Sequence, residues 1–147
     1  MFNLRWCDVT SPGADLHEPV MLPRILELLA PALRDGGLVV DATLGMGGHA
    51  EALLATFPSV DLMGLDRDPE ALAIASARLA PFGDRFMPVR TVFDRFPDFL
   101  PGADGRQEAP EAFLFDLGVS SLQLDSDSRG FAYSRETHLD MRMDPSD

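Results

Sequence analysis

Two kinds of apolar spacing alternate along most of the chain. In "EPVMLPRILELLAPAL", residues 18–33, Val20, Ile25, Leu28, Leu29 and Leu33 recur at helical intervals. The spacing predicts a helix with Pro19 and Pro23 in its first turn and "RDGG" at its end. "LVVDA" then reads as a strand: a short β-branched run without alternation, as in strands buried on both faces. A glycine-rich loop leads into "HAEALLATF", a helix stopped by Pro58. The order repeats. "DLMGLD", Asp61 to Asp66, is a second strand, and "DPEALAIASARLA" a second crossover helix, with Asp68 as N-cap and Pro69 at the first helical position. "RFMPVRTVF" is a third strand, made irregular by Pro88, and "AFLFDLG", Ala112 to Gly118, a fourth. "PGADGRQEAP", Pro101 to Pro110, is a loop, and residues 1–16 are irregular with a turn at "SPGAD".

Strands alternating with helices predict an α/β fold with a parallel sheet and right-handed crossovers. Ligands of such sheets bind beyond the carboxyl ends of the strands. The residues at those ends are Asp41 with the glycines that follow, Asp66, Phe93 and Asp116.

Composition narrows the reading. With 147 residues, 46% of them hydrophobic, the chain suits one domain with a real core. No apolar run approaches the roughly 20 residues of a membrane span, and "MFNLRWCDVT" lacks a secretory pattern. A single cysteine, Cys7, excludes an internal disulfide framework and fits a reducing, cytoplasmic setting. The formal charge is −12, and all 12 basic residues are arginine. Such a chain is a poor electrostatic partner for nucleic acid, so any RNA contact must be local or lie elsewhere. No repeat and no metal-binding pattern appears.

The loop "DATLGMGGHA", Asp41 to Ala50, carries the candidate chemistry. Its glycines permit sharp turns and close approach of a ligand to the main chain. Gly45, Gly47 and Ala50 satisfy the G-x-G-x-x-G/A dinucleotide fingerprint, and Asp66 follows 21 residues after Gly45, where an acid would take ribose hydroxyls. An NAD(P)-dependent oxidoreductase is therefore one reading, and a tight turn that binds nothing is another. Three carboxylates on one rim (Asp41, Asp66, Asp116) would repel a pyrophosphate. They suit a ligand that carries positive charge and hydroxyls, such as the sulfonium, ammonium and ribose of S-adenosylmethionine. Each aspartate also has a plain role, in capping or turn formation.

"HEPVML", "DATLGMGGHAEALL", "GLDRDPEALAIA", "FLFDLGVSSLQLD", "RGFAY" and "LDMRMDP" together resemble the MraW/RsmH family, bacterial methyltransferases that modify N4 of a cytosine in small-subunit ribosomal RNA. The resemblance runs from about His17 to Pro145. It implies a Rossmann-like, S-adenosylmethionine-dependent methyltransferase fold. It also implies that Gly47, Gly48 and His49 line the cofactor site, that Asp66 holds the ribose hydroxyls and that Phe93 packs on the adenine. Asp116 would sit beside the methyl donor and the target amine as the catalytic group, and Gln123 would complete the pocket. Ser120 and Ser121 fall between them, as ligand contacts or as shapers of the turn. For His49 the residues alone suggest a solvent-facing position in the first helical turn. The Asn/Asp/Ser-Pro-Pro-aromatic sequence common among amino-methyltransferases is replaced here by "DLGV".

Members of that family are about twice as long. The expectation is therefore a fold truncated after the fourth parallel strand, with residues 17–147 as the first part of a methyltransferase domain. The expected strand order is 3-2-1-4, with strand four an open edge. Such a chain would supply mainly the cofactor half, contact small-subunit RNA little, and be poorly active alone or act as a non-catalytic cofactor-binding piece. The closing segment, "DSDSRGFAYSRETHLDMRMDPSD", reads as a wall over the donor site, with Arg129, Arg135 and Arg142 near RNA phosphate.

Overall fold

The computed structural model describes residues 19–100, 109–126, 129–131, 136, 138 and 140–144. The irregular segment expected at residues 1–16, the loop expected from Pro101 to Pro110 (all but its last two residues), and Arg135 lie outside them.

Four strands form one parallel sheet: β1 (Gly37–Asp41), β2 (Val60–Asp66), β3 (Phe86–Arg90) and β4 (Ala112–Leu114), in the order β3-β2-β1-β4. The helices are α1 (Leu22–Leu29), α2 (Gly48–Thr56), α3 (Pro69–Leu79) and a short α4 (Ser121–Asp125). The registers align Asp41 with Gly64 and with Leu114, and Asp66 with Arg90, so the strand ends that carry carboxylates lie side by side. The expected fold class and strand order are those observed.

Why these segments form these elements is visible residue by residue. Val39, Val40, Leu62, Met63 and Leu65 are fully buried in the two central strands, which explains the solid apolar runs without alternation. Val39 and Leu62 face a core made with Leu53, Leu54, Ala75 and Leu79 of α2 and α3. Val40, Met63 and Leu65 face the other side, where Phe96 and Leu100 pack. Each such buried side chain contributes about 1.5–3 kcal/mol relative to exposure. Asp68 caps α3 by accepting from the Glu70 amide at 3.0 Å, with Pro69 opening the helix. Pro88 is tolerated because β3 is an edge strand, where a missing N–H costs no ladder bond on the open side.

Four details differ from the sequence reading. Helix α1 ends at Leu29, and its packed side is Ile25, Leu26 and Leu29; Val20 and Leu28 are exposed, while Leu33 is buried from the turn beyond the helix. The third strand stops at Arg90, and Phe93 opens a 3-10 turn (Phe93–Phe99). The fourth strand is only Ala112–Leu114, because its partner β1 runs out at Asp41, opposite Leu114. Phe113, on this edge strand, and Phe115, beyond its end, are exposed rather than buried on both faces. Finally, "SSLQLD" contains a helix. Ser120 and Gln123 close a reciprocal capping box at the start of α4, a serine followed three residues later by glutamine.

Candidate functional site

At the carboxyl ends of the strands lies an open cleft of about 720 Å³. That size falls within the range of small-molecule sites. Its floor comes from the loop after β1 (Ala42 to Met46), its sides from Asp66 and Arg67 after β2 and from Thr91 to Phe93 after β3, and its far wall from Asp116 to Ser120 after β4. Of the residues singled out from the sequence, Gly48, His49, Asp66, Phe93, Asp116, Ser120 and Gln123 all line it. Gly47 is not part of the wall. Its φ is +78°, and a Cβ there would meet Leu79 at 3.2 Å and Ala75 at 3.3 Å. Its lack of a side chain lets the loop pack on α3.

The three carboxylates expected on the rim have different surroundings, and one of them is not on it. Asp66 is held by two amides, Gly45 N–H at 2.8 Å and Asp68 N–H at 2.9 Å. Burial raises its pKa, and those amides oppose the rise. Asp66 thus ties the glycine loop to the end of β2. Asp41 is only 1% exposed and lies beneath the cleft, outside its wall. Its Oδ1 accepts from the Thr43 amide at 3.2 Å, and its Oδ2 has no hydrogen-bond partner. Burial pushes its pKa up to about 7; the Thr43 amide opposes this, and the charges of Asp66 and Asp116 add to it. Asp116 is exposed at the cleft edge, and its amide donates to the Thr43 hydroxyl at 2.7 Å.

Asp116 Oδ2 is 3.7 Å from His49 Nε2, too far for a hydrogen bond but close enough for charge to act. His49 is 8% exposed, not solvent-facing, and neither ring nitrogen has a hydrogen-bond partner. Burial lowers its pKa below the ordinary histidine value, and the neighbouring Asp116 opposes that fall. Phe93 is half exposed and meets Phe115 edge-to-face, with ring centroids 5.8 Å apart. Gln123 is buried. Its Oε1 closes the α4 cap, and its Nε2 donates to Met143 Sδ at 3.3 Å, so it shapes the wall with its polar atoms already engaged.

The sequence reading missed several wall residues. Thr43 joins the ends of β1 and β4, and only the folded registers show that contact. Arg78 reaches the cleft from α3 and pairs with Glu51 of α2 at 2.6 Å. Met143 arrives from the closing segment, which does form part of the wall. That segment is anchored by Arg129, and here the sequence reading needs correction. Arg129 is 5% exposed and pairs with Asp68 at 2.7 Å, with Glu70 at 3.4 Å and with the Met143 carbonyl at 2.6 Å. It is a structural tether, not a free cation for phosphate. Arg142 pairs with Asp140 at 2.6 Å.

Among the described residues no group of three or more metal-ligating side chains is found, and no helix is long and apolar enough to cross a membrane.

The family model described as the MraW methylase family matches residues 14–147. Two proteins named ribosomal RNA small subunit methyltransferase H are similar to the chain: that of Nocardioides sp., 58% identical over 131 residues, and that of Leifsonia xyli, 60% identical over 131 residues. Each alignment covers 88% of this chain and 40% of the relative, so the chain spans about 40% of the length of the curated relatives it matches. Among solved structures, an rRNA methylase from Streptococcus thermophilus aligns with a TM-score of 0.46 and 24% identity, over 52% of this chain and 46% of that one.

Proposed function

The chain belongs to the MraW methylase family, and from that premise we propose that it forms the donor half of an S-adenosylmethionine-dependent methyltransferase whose target is N4 of a cytosine in small-subunit ribosomal RNA. The observation that carries the reading is the cleft itself, with Asp66 and Asp116 on its rim and Asp41 beneath it. Its chemistry fits the cofactor. Carboxylates with spare lone pairs suit hydroxyls and a cationic ligand, and a half-exposed phenylalanine suits a flat base.

In this reading Asp66 accepts from the ribose hydroxyls through lone pairs not used by Gly45 and Asp68. Phe93 packs on the adenine, and Gly48 and His49 face the methionine end. When bound, the cofactor supplies an electrophilic methyl group whose transfer leaves a neutral thioether. The protein's task is alignment of nitrogen, carbon and sulfur in one line. The N4 lone pair is delocalised into the ring, so an acceptor on its N–H helps it to attack. Asp116 is that acceptor. One N–H proton passes to its carboxylate as the nitrogen gains the methyl group, and water later removes the proton. The base must leave its stack to reach the cleft.

A nucleotide-dependent oxidoreductase is the competing reading, from Gly45, Gly47 and Ala50. The loop's own hydrogen bonds disfavour it. The amides of Thr43, Gly45 and Gly47 are spent on Asp41, Asp66 and the Leu44 carbonyl, so they are not free to cradle a pyrophosphate.

Calorimetric titration with S-adenosylmethionine, with NAD in parallel, is the test. Binding of the former alone is expected; binding of NAD alone would overturn the reading. Asp116→Asn is expected to lower methyl transfer by roughly 10²-fold or more at saturating donor. Normal turnover in that variant would remove Asp116 from its role.

A further inference from the structure

His49 faces the methionine end of the proposed cofactor site, yet neither of its ring nitrogens has a hydrogen-bond partner. A buried imidazole with both nitrogens unpaired costs free energy, because desolvation is not repaid by a hydrogen bond. It lies in the first turn of α2, lines the cleft, and comes within 3.7 Å of Asp116. We propose that His49 is a positioning residue for Asp116: a neutral imidazole whose Nε2–H points at Oδ2 of the carboxylate and turns Oδ1 toward the target amine.

The surroundings support that assignment. Asp116 is the acidic partner of the ring among the described residues. The other charged groups on the elements around it have their own contacts, although Asp41 Oδ2 has none. Arg78 of α3 is held by Glu51, Asp66 of β2 by loop amides, and Arg24 of α1 by Glu27. Asp41 at the end of β1 binds the Thr43 amide. In a neutral imidazole the tautomer follows whichever nitrogen finds a partner, and Nε2 is the nitrogen that has a carboxylate oxygen within 3.7 Å. A gap of this size is common before substrate binds and closes when the site fills. Because burial lowers the pKa of the ring, the neutral form prevails at neutral pH. Below that pKa the imidazolium would grip the carboxylate and compete with the amine for it. Methyl transfer should therefore fall on the acid side as His49 is protonated.

The proposal rests on the methyltransferase reading but is tested apart from it, by nitrogen-15 correlation spectra of the histidine rings in the whole chain. His49→Gln identifies the His49 signals among the three histidines. At neutral pH the Nε2–H tautomer is expected. In Asp116→Asn the titration midpoint of the ring should move further down, since the charge that opposes burial is gone; Asp116→Ser, read the same way, guards against a variant that does not fold. An Nδ1–H tautomer, or a midpoint indifferent to both substitutions, would overturn the proposal. Failure of the methyltransferase reading would look different: no calorimetric binding of S-adenosylmethionine, with the ring spectra unaffected.

Discussion

Asp41 is an aspartate that folding turns into a weak acid. Its pKa in the folded chain, about 7, lies above the ordinary 3.8, because the carboxyl is wholly buried. A group shifted upward favours the native state below its ordinary pKa, and that contribution is lost as pH rises through about 7. Asp41→Asn keeps an acceptor for the Thr43 amide and cannot ionise. It is expected to raise stability by a few kcal/mol, roughly 2–4, at pH near 8 and to change it little near pH 4. Urea midpoints at the two pH values would check this, and an equal gain at both would refute the burial argument. Gly47 makes a different demand. Gly47→Ala must hold a side chain at φ +78° while its Cβ presses on Leu79 and Ala75, and a loss of about 1–3 kcal/mol is expected in thermal or urea unfolding. At Gly45, φ is +52° but the nearest atom to an added Cβ is 4.0 Å away, so Gly45→Ala should cost less.

The elements hold the cleft open by short, specific ties. The carbonyls of Leu54, Phe57, Pro58 and Val60, where α2 gives way to β2, all accept from Arg85, which replaces water at the helix end. The segment after α4 is fixed to the start of α3 by the buried Arg129–Asp68 pair. Removing one partner strands the other charge in a dry site. Arg129→Met should cost about 3–5 kcal/mol, and adding Asp68→Asn should recover part of it. Urea unfolding of the single and double variants would measure the coupling; additive losses would mean that the pair is not what holds the segment. Helix α4 was written in the chain as a serine–glutamine capping box, yet five residues show no apolar period, so periodicity passed over it.

As a whole, the chain is acidic, and Asp66 and Asp116 line its cleft. At a formal charge of −12, release of counterions from RNA gains little for this chain. The expected outcome is calorimetric binding of S-adenosylmethionine with no measurable affinity for a ribosomal RNA fragment at physiological salt, read by fluorescence anisotropy. Tight RNA binding by the chain would show a basic surface that the charge balance does not suggest. The exposed Phe113 of β4 and Phe115 just beyond it stack on each other and meet Phe96 and Phe93 edge-to-face, so the open edge of the sheet carries its own aromatic row.

The strand–helix alternation, the parallel sheet, the order β3-β2-β1-β4 and the placing of Asp66, Phe93 and Asp116 at one end of it were legible in the chain. The alternation and the strand ends follow from local periods and caps and the parallel sheet from a chirality rule, while the strand order was implied by the family resemblance. The early end of β4 was not legible, because it depends on where a neighbouring strand stops. Nor was the burial of His49, the tie from Thr43 to Asp116, or the loss of Arg129 to an internal pair. Each of the two ties joins residues at least 61 positions apart. Contacts across such separations leave no period in the sequence; they are fixed when the sheet registers bring the strand ends together.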